Sequence, residues 1–228
     1  MIMDLVVERI NMTSEQYTLY QLAREKEKQE NSKQMKKKQS DFAKPRIAAS
    51  SSYRVQSRQL SNYCPPMSHL REKDPEKLPQ QYLSSPKFEK IYSNLEKHSG
   101  QLGLVYSQFI GVGGLGVFSR FLESLGWAKY TDPDIVTGDK LFKEENTRSS
   151  KNPTLDSNGS RHPMKTINKS KRFAFITGDI SITERTYIQD IYNNNNNKHG
   201  EELALLLVSS TGAEGLDLKN VRHIHIME

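Results

Sequence analysis

The chain has 228 residues, of which only 35% are hydrophobic, and its formal net charge is +6 at pH 7. No apolar run approaches the roughly 18 residues of a membrane-spanning helix, and the first residues are too charged for a signal peptide. The sequence therefore predicts a soluble, intracellular protein without a membrane partner. A single cysteine, Cys64, excludes an internal disulfide and a cysteine-rich zinc site.

The excess of positive charge is concentrated in one segment. Between Arg24 and Arg58 there are eleven basic residues and four acidic ones. Clustered lysines and arginines favour nucleic acid as the partner, because they neutralise phosphates and release counterions. A solvated helix face that continues into a linker is the alternative. Arg54 and Arg58 lie near Tyr53, a combination that suits stacking on bases and contact with phosphates.

The first predicted elements precede the folded part of the chain. Leu5–Met12 is compatible with a short strand. Gln16 follows Thr13 by three residues, the spacing of a capping box, which predicts a helix that continues into the lysine-rich stretch. Residues 40–77 are rich in Ser, Pro and charged side chains and show no apolar period, so we expect an extended linker there.

The folded part is predicted to begin near Ser85, an N-cap that is followed by Pro86. Four apolar residues at helical spacing form its core-facing stripe: Phe88, Ile91, Tyr92 and Leu95. Gly100 ends this helix. A strand over Leu102–Tyr106 and a helix over Leu115–Leu125 follow.

The second half of the chain returns to the same pattern after a polar break. Residues 131–170 show no period and predict an insertion that is disordered. A strand at Phe173–Ile176 precedes a helix capped by Ser181, and the tract Asn193–Asn197 is typical of a solvent loop. Two further strands follow, at Leu203–Val208 and Val221–Met227. The alternation of strands and helices predicts an α/β fold with a parallel sheet flanked by helices.

Small polar residues follow three of the predicted strands. They are Ser107-Gln108, Thr177-Gly178-Asp179 and the run from Ser209 to Gly215. The carboxyl ends of parallel strands lie along one edge of a sheet, where open α/β folds bind their ligands. Each turn alone is compatible with an ordinary strand-to-helix connection, but three on one edge predict a binding site.

Two other patterns indicate different chemistry. Gly111–Gly116 fits the dinucleotide-binding fingerprint, with Asp132 and Asp134 downstream, and gives an alternative in which the chain is a dinucleotide-binding enzyme. His223 and His225 share a strand face but have no evident third ligand, so we expect no metal site. No P-loop motif occurs in the sequence, so the chain cannot hold a triphosphate and its magnesium in the usual way.

The strand-end residues also resemble known motifs. SSTGAEGLDL resembles the fifth motif of superfamily 2 helicases, in the second of their two RecA-like domains. LGLVYSQF is similar to the fourth motif and FAFITGD to the segment after it. More narrowly, the sequence is similar to the helicases of large DNA viruses, the group that contains the poxvirus early transcription factor small subunit and nucleoside triphosphatase I. This resemblance implies that Gly215 and Asp217 face ATP. It implies that six residues contact the nucleic-acid backbone: Ser107, Gln108, Gly178, Ser209, Ser210 and Thr211.

The resemblance implies a domain organisation as well. Residues 1–12 would be the remnant of a first RecA-like domain, residues 13–84 a basic helix and interdomain linker, and residues 85–228 a second RecA-like domain that ends before the sixth motif. ATP and Mg²⁺ would be bound mainly by the missing first domain, so this chain alone would not hydrolyse ATP. The implied partners are DNA or RNA, the first domain and the transcription machinery. The implied locations are the virion and the host cytoplasm.

An ATP-independent nucleic-acid-binding protein with a degenerate motor fold remains an alternative at this stage. It would use the basic segment between Arg24 and Arg58 and would need neither a first domain nor ATP.

Overall fold

The computed structural model describes residues 5–38, 54–130 and 171–228. Five strands form one parallel sheet in the order β2-β3-β4-β1-β5. The strands are β1 (Gly103–Tyr106), β2 (Ala128–Lys129), β3 (Arg172–Ile176), β4 (Leu205–Val208) and β5 (His223–Ile226). The helices are α1 (Ser14–Lys38), α2 (Val55–Asn62), α3 (Pro86–Lys97), α4 (Leu115–Ser124), α5 (Ile182–Asn193) and α6 (Ser210–Ala213). The predicted fold class is therefore confirmed.

Strand β4 lies at the centre of the sheet, and its four residues are all buried. Side chains alternate along a strand, so Leu205 and Leu207 join the core beneath α3 and α4, whereas Leu206 and Val208 join the core beneath α5. Both faces of the sheet are thus covered by helices. This arrangement explains why an unbroken apolar run is a reliable signal for β4.

Helices α3, α4 and α5 begin as the sequence predicts. The Ser85 hydroxyl accepts a hydrogen bond from the Phe88 backbone N–H, and the Ser181 hydroxyl accepts one from the Glu184 N–H. Phe88, Ile91 and Leu95 are buried, and the apolar face of α4 is buried as far as Leu122. Leu125 is the exception, because it follows the helix and is 39% exposed.

The prediction of an extended linker is wrong for residues 54–77. Helix α2 lies in this stretch and packs against α1, where the Glu27 carboxylate accepts hydrogen bonds from the Ser57 N–H and hydroxyl. The Gln16 side chain donates to the Leu60 carbonyl at 2.7 Å instead of completing a capping box with Thr13. Tyr63 enters the core beside Phe88. Single buried apolar residues and side-chain hydrogen bonds attach this segment to the rest of the fold, so its sequence shows no helical period.

Two edges of the fold differ from the predicted strands. Residues 5–12 have no regular structure, so the strand expected at Leu5–Met12 is wrong. The short strand β2 was not predicted, because two residues carry no period. Strand β5 forms an edge of the sheet, with Ile224 and Ile226 exposed at 44% and 62%.

The insertion predicted at residues 131–170 lies outside the described residues. Across the described ranges, no helix is long and apolar enough to cross a membrane.

Candidate nucleic-acid interface

The three polar strand ends lie side by side. Strand β4 has β3 on one side and β1 on the other, and Val208 is in register with both Ile176 and Tyr106. The first residues after the strands continue this pairing. The Ser107 N–H donates to the Val208 carbonyl at 3.2 Å, and the Ser209 N–H donates to the Ile176 carbonyl at 3.1 Å. We call Ser107, Gln108, Gly178, Ser209, Ser210 and Thr211 the polar rim.

The β4 end of the polar rim begins with a capped turn. The Ser209 hydroxyl accepts from the Gly212 N–H at 3.1 Å and lies 3.2 Å from the Thr211 hydroxyl. Ser209 is buried, whereas Ser210 and Thr211 are exposed. Ser209 therefore shapes the turn, and the next two residues are the exposed ones.

The β3 end presents backbone rather than side chains. Gly178 is exposed, and a β-carbon at this position would lie 2.7 Å from Thr211 Oγ1. The absence of a side chain lets Thr211 occupy this space and leaves the Gly178 backbone open to a ligand. The β3 and β4 ends therefore form one continuous surface.

At the β1 end, the buried Ser107 is tied to a residue that sequence reasoning missed. The Ser107 hydroxyl donates to the Glu228 carboxylate at 2.5 Å, and the Gln108 N–H donates to the same carboxylate at 3.0 Å. The Ser107 oxygen also accepts from the Phe109 N–H at 3.1 Å. Ser107 is therefore used within the turn, and the exposed Gln108 side chain is the one that reaches solvent.

Of the two arginines predicted to bind nucleic acid, Arg58 is the one that the structure places beside the polar rim. The Arg58 guanidinium lies 5.4 Å from the centre of the Phe109 ring, and Phe109 follows Gln108 directly, so Arg58 adjoins the polar rim. Arg54 precedes α2 in a left-handed conformation, with φ of 56°. It lies one helical turn before Arg58 and remains a predicted nucleic-acid contact.

Gly215 and Asp217 leave the rim along α5. The Glu214 carbonyl accepts from the Arg185 guanidinium in the first turn of α5, and the Asp217 carbonyl accepts from the Asn193 side chain at the last residue of α5. The two anchor residues on α5 are eight positions apart, which corresponds to about 12 Å along the helix axis. Asp217 therefore lies beside the carboxyl end of α5.

Gly215 and Asp217 have properties that suit the ATP contacts predicted for them. Gly215 has a φ of +69° and nothing within 4 Å of where its β-carbon would be, so a ligand can approach its backbone closely. Asp217 presents an exposed carboxylate, a group that can accept from a ribose hydroxyl or a liganded water. Both residues remain predicted ATP contacts, and phosphate and Mg²⁺ ligands would have to come from elsewhere.

The glycine-rich loop Gly111–Gly116 is packed against its own chain. The N–H groups of Gly114, Leu115 and Gly116, which open α4, donate to carbonyls of residues 109–111. A β-carbon at Gly114 would lie 2.0 Å from the Phe109 carbonyl oxygen. These amides are already used within the loop, so the geometry does not support the dinucleotide alternative; Asp132 and Asp134 lie outside the described residues.

His223 lies at the amino-terminal end of β5, away from the polar rim, and His225 lies two residues further along the strand. His223 pairs with Gly103 at the start of β1, so it marks the opposite edge of the sheet. Its Nδ1 lies 3.1 Å from His225 Nε2, and its ring stacks on His98 with centres 5.0 Å apart. Burial lowers the pKa of His223 to about 4, and the neighbouring histidines act in the same direction. Among the described residues, no group of three or more potential ligands is arranged to hold a metal ion.

Comparison with known proteins identifies viral relatives. No protein-family model matches the chain. It is 35% identical, over 99% of its length, to the termination factor NPH-I homologues of two African swine fever virus isolates, one from a South African tick and one from a Malawian tick. It is 26% identical over 99% of its length to a protein of Acanthamoeba polyphaga mimivirus whose name assigns it as an ATP-dependent RNA helicase.

The chain spans about a third of the length of these relatives, 34% of the African swine fever virus proteins and 33% of the mimivirus protein. The described residues place the resembling motifs at neighbouring strand ends of a parallel sheet. The resemblance of this chain to the helicases of large DNA viruses, predicted from three strand-end motifs, is thereby confirmed over almost its whole length.

Proposed function

We propose that this chain is the second RecA-like domain of an ATP-dependent, superfamily 2 helicase or translocase that acts in viral transcription. Its polar rim contacts the backbone of DNA or RNA, and Gly215 and Asp217 complete an ATP site that is otherwise built, with Mg²⁺, by a first RecA-like domain. The names of the relatives, a termination factor and an RNA helicase, support a role beside the transcription machinery. The virion and host cytoplasm are the places where we expect it.

The observation that carries this proposal is the adjacency of the β3, β4 and β1 ends. A nucleic-acid backbone presents regularly spaced phosphates, which are recognised by hydroxyls, amides and backbone N–H groups without reading the bases. Gln108, Gly178, Ser210 and Thr211 are exposed and offer these groups at neighbouring strand ends. Arg58 adds positive charge beside Gln108.

A binding measurement tests the role of the polar rim. The variant Ser210→Ala/Thr211→Val removes two exposed hydroxyls and keeps the side-chain volumes nearly unchanged. We expect its affinity for fluorescein-labelled single-stranded DNA or RNA, measured by anisotropy, to fall about tenfold. Ser99→Ala is the matched control, because Ser99 is exposed between α3 and β1 at the opposite edge of the sheet. Equal affinities for all three proteins would refute the proposed interface.

An activity measurement tests the role of the chain as a motor domain. The chain alone is expected to hydrolyse no ATP. Addition of the first RecA-like domain and sixth-motif segment of a longer relative is expected to produce ATPase activity that nucleic acid stimulates. If single strands bind but no combination yields ATPase activity, the ATP-independent nucleic-acid-binding alternative is correct.

A further inference from the structure

The β1 end of the polar rim is joined to a polar network in which Ser107 and Asn62 are buried and Glu228 is exposed. Three donors converge on the Glu228 carboxylate: the Ser107 hydroxyl at 2.5 Å, the Gln108 N–H at 3.0 Å and the Asn62 side-chain amide at 2.9 Å. Hydrogen bonds to a carboxylate are stronger than those between neutral groups. Glu228 therefore fixes the turn that presents Gln108.

Lys87, on α3, is linked to this carboxylate through the Asn62 side chain. Its ammonium donates to Asn62 Oδ1 at 2.7 Å, to the Met227 carbonyl at 2.8 Å and to the Ser61 hydroxyl at 3.4 Å. An ammonium has three donors, and these contacts use all of them. Asn62 is fully buried and bridges Lys87 and Glu228, since its side-chain oxygen accepts from Lys87 and its side-chain nitrogen donates to Glu228. Loss of Lys87 would leave a buried acceptor on Asn62 without its charged donor.

The network also balances charge at the rim. Glu228 brings a negative charge to a surface that is expected to meet phosphates. Among the described residues, Glu228 is the charged group that acts on Lys87, and the direct partners Ser61, Asn62 and Met227 are neutral. Together the ammonium and the carboxylate are close to neutral, whereas the carboxylate alone would repel a phosphate.

We propose that Lys87 is a positioning residue for the polar rim. Through Asn62 and Met227 it holds Glu228, and through Glu228 it holds Ser107 and Gln108 in the arrangement that meets a nucleic-acid phosphate. It also offsets the charge of Glu228 without touching the nucleic acid. This inference rests on the proposed function of the rim, and it adds Lys87, Asn62 and Glu228 to the residues on which binding depends.

Lys87→Met tests the proposal, because methionine keeps the apolar stem and removes the charge and all three donors. We expect its affinity for a labelled single strand to fall about fivefold or more. Lys90→Met is the matched control: Lys90 lies three residues later on α3 and pairs with Glu8 at 3.2 Å on the surface. Its affinity is expected to stay within about twofold of the wild type.

The salt dependence of binding separates positioning from direct contact. A lysine that touches a phosphate contributes ~0.7 to the slope of log affinity against log salt on a single strand. Lys87→Met is expected to lower the affinity and leave this slope unchanged. A slope reduced by that amount would place Lys87 on the nucleic acid and overturn its assignment as a positioning residue.

The pH profile gives a test that does not depend on the folding of a neutral variant. Burial lowers the pKa of Lys87 to about 8, with the charge of Glu228 acting in the opposite direction. Wild-type affinity should therefore fall as pH rises through about 8, whereas Lys87→Arg, which stays charged, should bind with little change. A titrating amino terminus would affect both proteins equally.

Stability has the opposite sign and serves as the internal control. Lys87 has a lower pKa in the folded chain than in the unfolded chain, so the unfolded state binds more protons between pH ~8 and ~10.5. The contribution of Lys87 to the free energy of unfolding therefore rises with pH over that range. If affinity merely followed stability, it would rise with pH over this range. A fall in affinity therefore reports the loss of the Lys87 charge and not unfolding.

The outcomes distinguish the two proposals. If Ser210→Ala/Thr211→Val weakens binding and Lys87→Met does not, the positioning role is wrong and the interface stands. If neither variant weakens binding, the proposed interface itself is wrong. A wild-type affinity that is constant across pH 8 would also contradict the role of Lys87.

Discussion

Thr211 at the end of β4 fills the space beside Gly178 at the end of β3, where a β-carbon would lie 2.7 Å from the Thr211 hydroxyl oxygen and 3.1 Å from its β-carbon. Both residues are exposed. The two strand ends therefore form one surface, and a side chain added at Gly178 would displace Thr211.

Gly178→Ala is therefore expected to weaken nucleic-acid binding without unfolding the chain. The added methyl group forces Thr211 out of its position, and we expect the affinity for a single strand to fall about fivefold. Gly111→Ala is the matched control, since its β-carbon would find only the Lys73 carbonyl oxygen at 3.8 Å. In a Thr211→Val background the effect of Gly178→Ala should shrink. Additive losses would show that the two residues act separately.

Gly212→Ala should instead destabilise the fold. A β-carbon at Gly212 would lie 1.9 Å from the Ile176 carbonyl oxygen and 2.5 Å from its carbon, which belong to the β3 backbone and cannot rotate away. We expect the free energy of unfolding, measured with denaturant, to fall by about 3 kcal/mol. Gly111→Ala should remain within about 0.5 kcal/mol of the wild type. A Gly212 variant as stable as this control would contradict the close packing of the β3 and β4 ends.

The sequence predicted the sheet and the grouping of its polar ends because both depend on local patterns. An apolar run such as Leu203–Val208 indicates a buried strand, and parallel strands place their carboxyl ends along one edge. The contacts of Glu228 could not be predicted in this way. Glu228 is 121 residues from Ser107 along the chain, and no period or spacing links two residues that only the fold brings together.

Amino-acid composition did not predict the segments that are attached to the core by single buried residues. Helix α2 and the turns after it contain few apolar residues, but Tyr63, Leu78 and Leu83 are almost fully buried. The asparagine tract failed for a related reason. Its composition is typical of a solvent loop, yet Asn197 is only 1% exposed. A polar residue in the interior is marked by the hydrogen bonds around it, which the sequence does not show.

Asn197→Ala is expected to lower the free energy of unfolding by about 2–4 kcal/mol. The Asn197 side chain donates to the Leu203 carbonyl at 2.9 Å and accepts from the N–H groups of Glu202 and Leu203 at 2.9 and 3.0 Å. Its removal leaves these buried groups unpaired beside the start of β4. Asn196→Ala is the control, because Asn196 is exposed in the same tract, and its effect should stay within about 0.5 kcal/mol. Similar denaturation midpoints for the two variants would show that the tract is the solvent loop that its composition indicates.

The two histidines of β5, His223 and His225, should make the fold sensitive to acid. The His223 ring lies over Gly103, where a β-carbon would meet its Cε1 at 2.1 Å, and burial lowers its pKa to about 4. The unfolded chain therefore binds a proton more readily than the folded chain between pH ~6.5 and ~4, and stability falls as pH falls through this range. The pKa of His225 is lowered as well, chiefly by burial, so it adds to the same trend.

His223→Phe separates this effect from general acid denaturation, because phenylalanine keeps a ring over Gly103 and cannot be protonated. Denaturant unfolding at a series of pH values is expected to show a smaller loss of stability below pH ~6.5 in this variant than in the wild type. His199→Phe, at an exposed position, should keep the wild-type dependence. Since His223 lies at the edge of the sheet opposite the polar rim, nucleic-acid affinity at neutral pH should be the same in all three proteins. An unchanged acid profile in His223→Phe would show that the buried imidazole is not the group responsible.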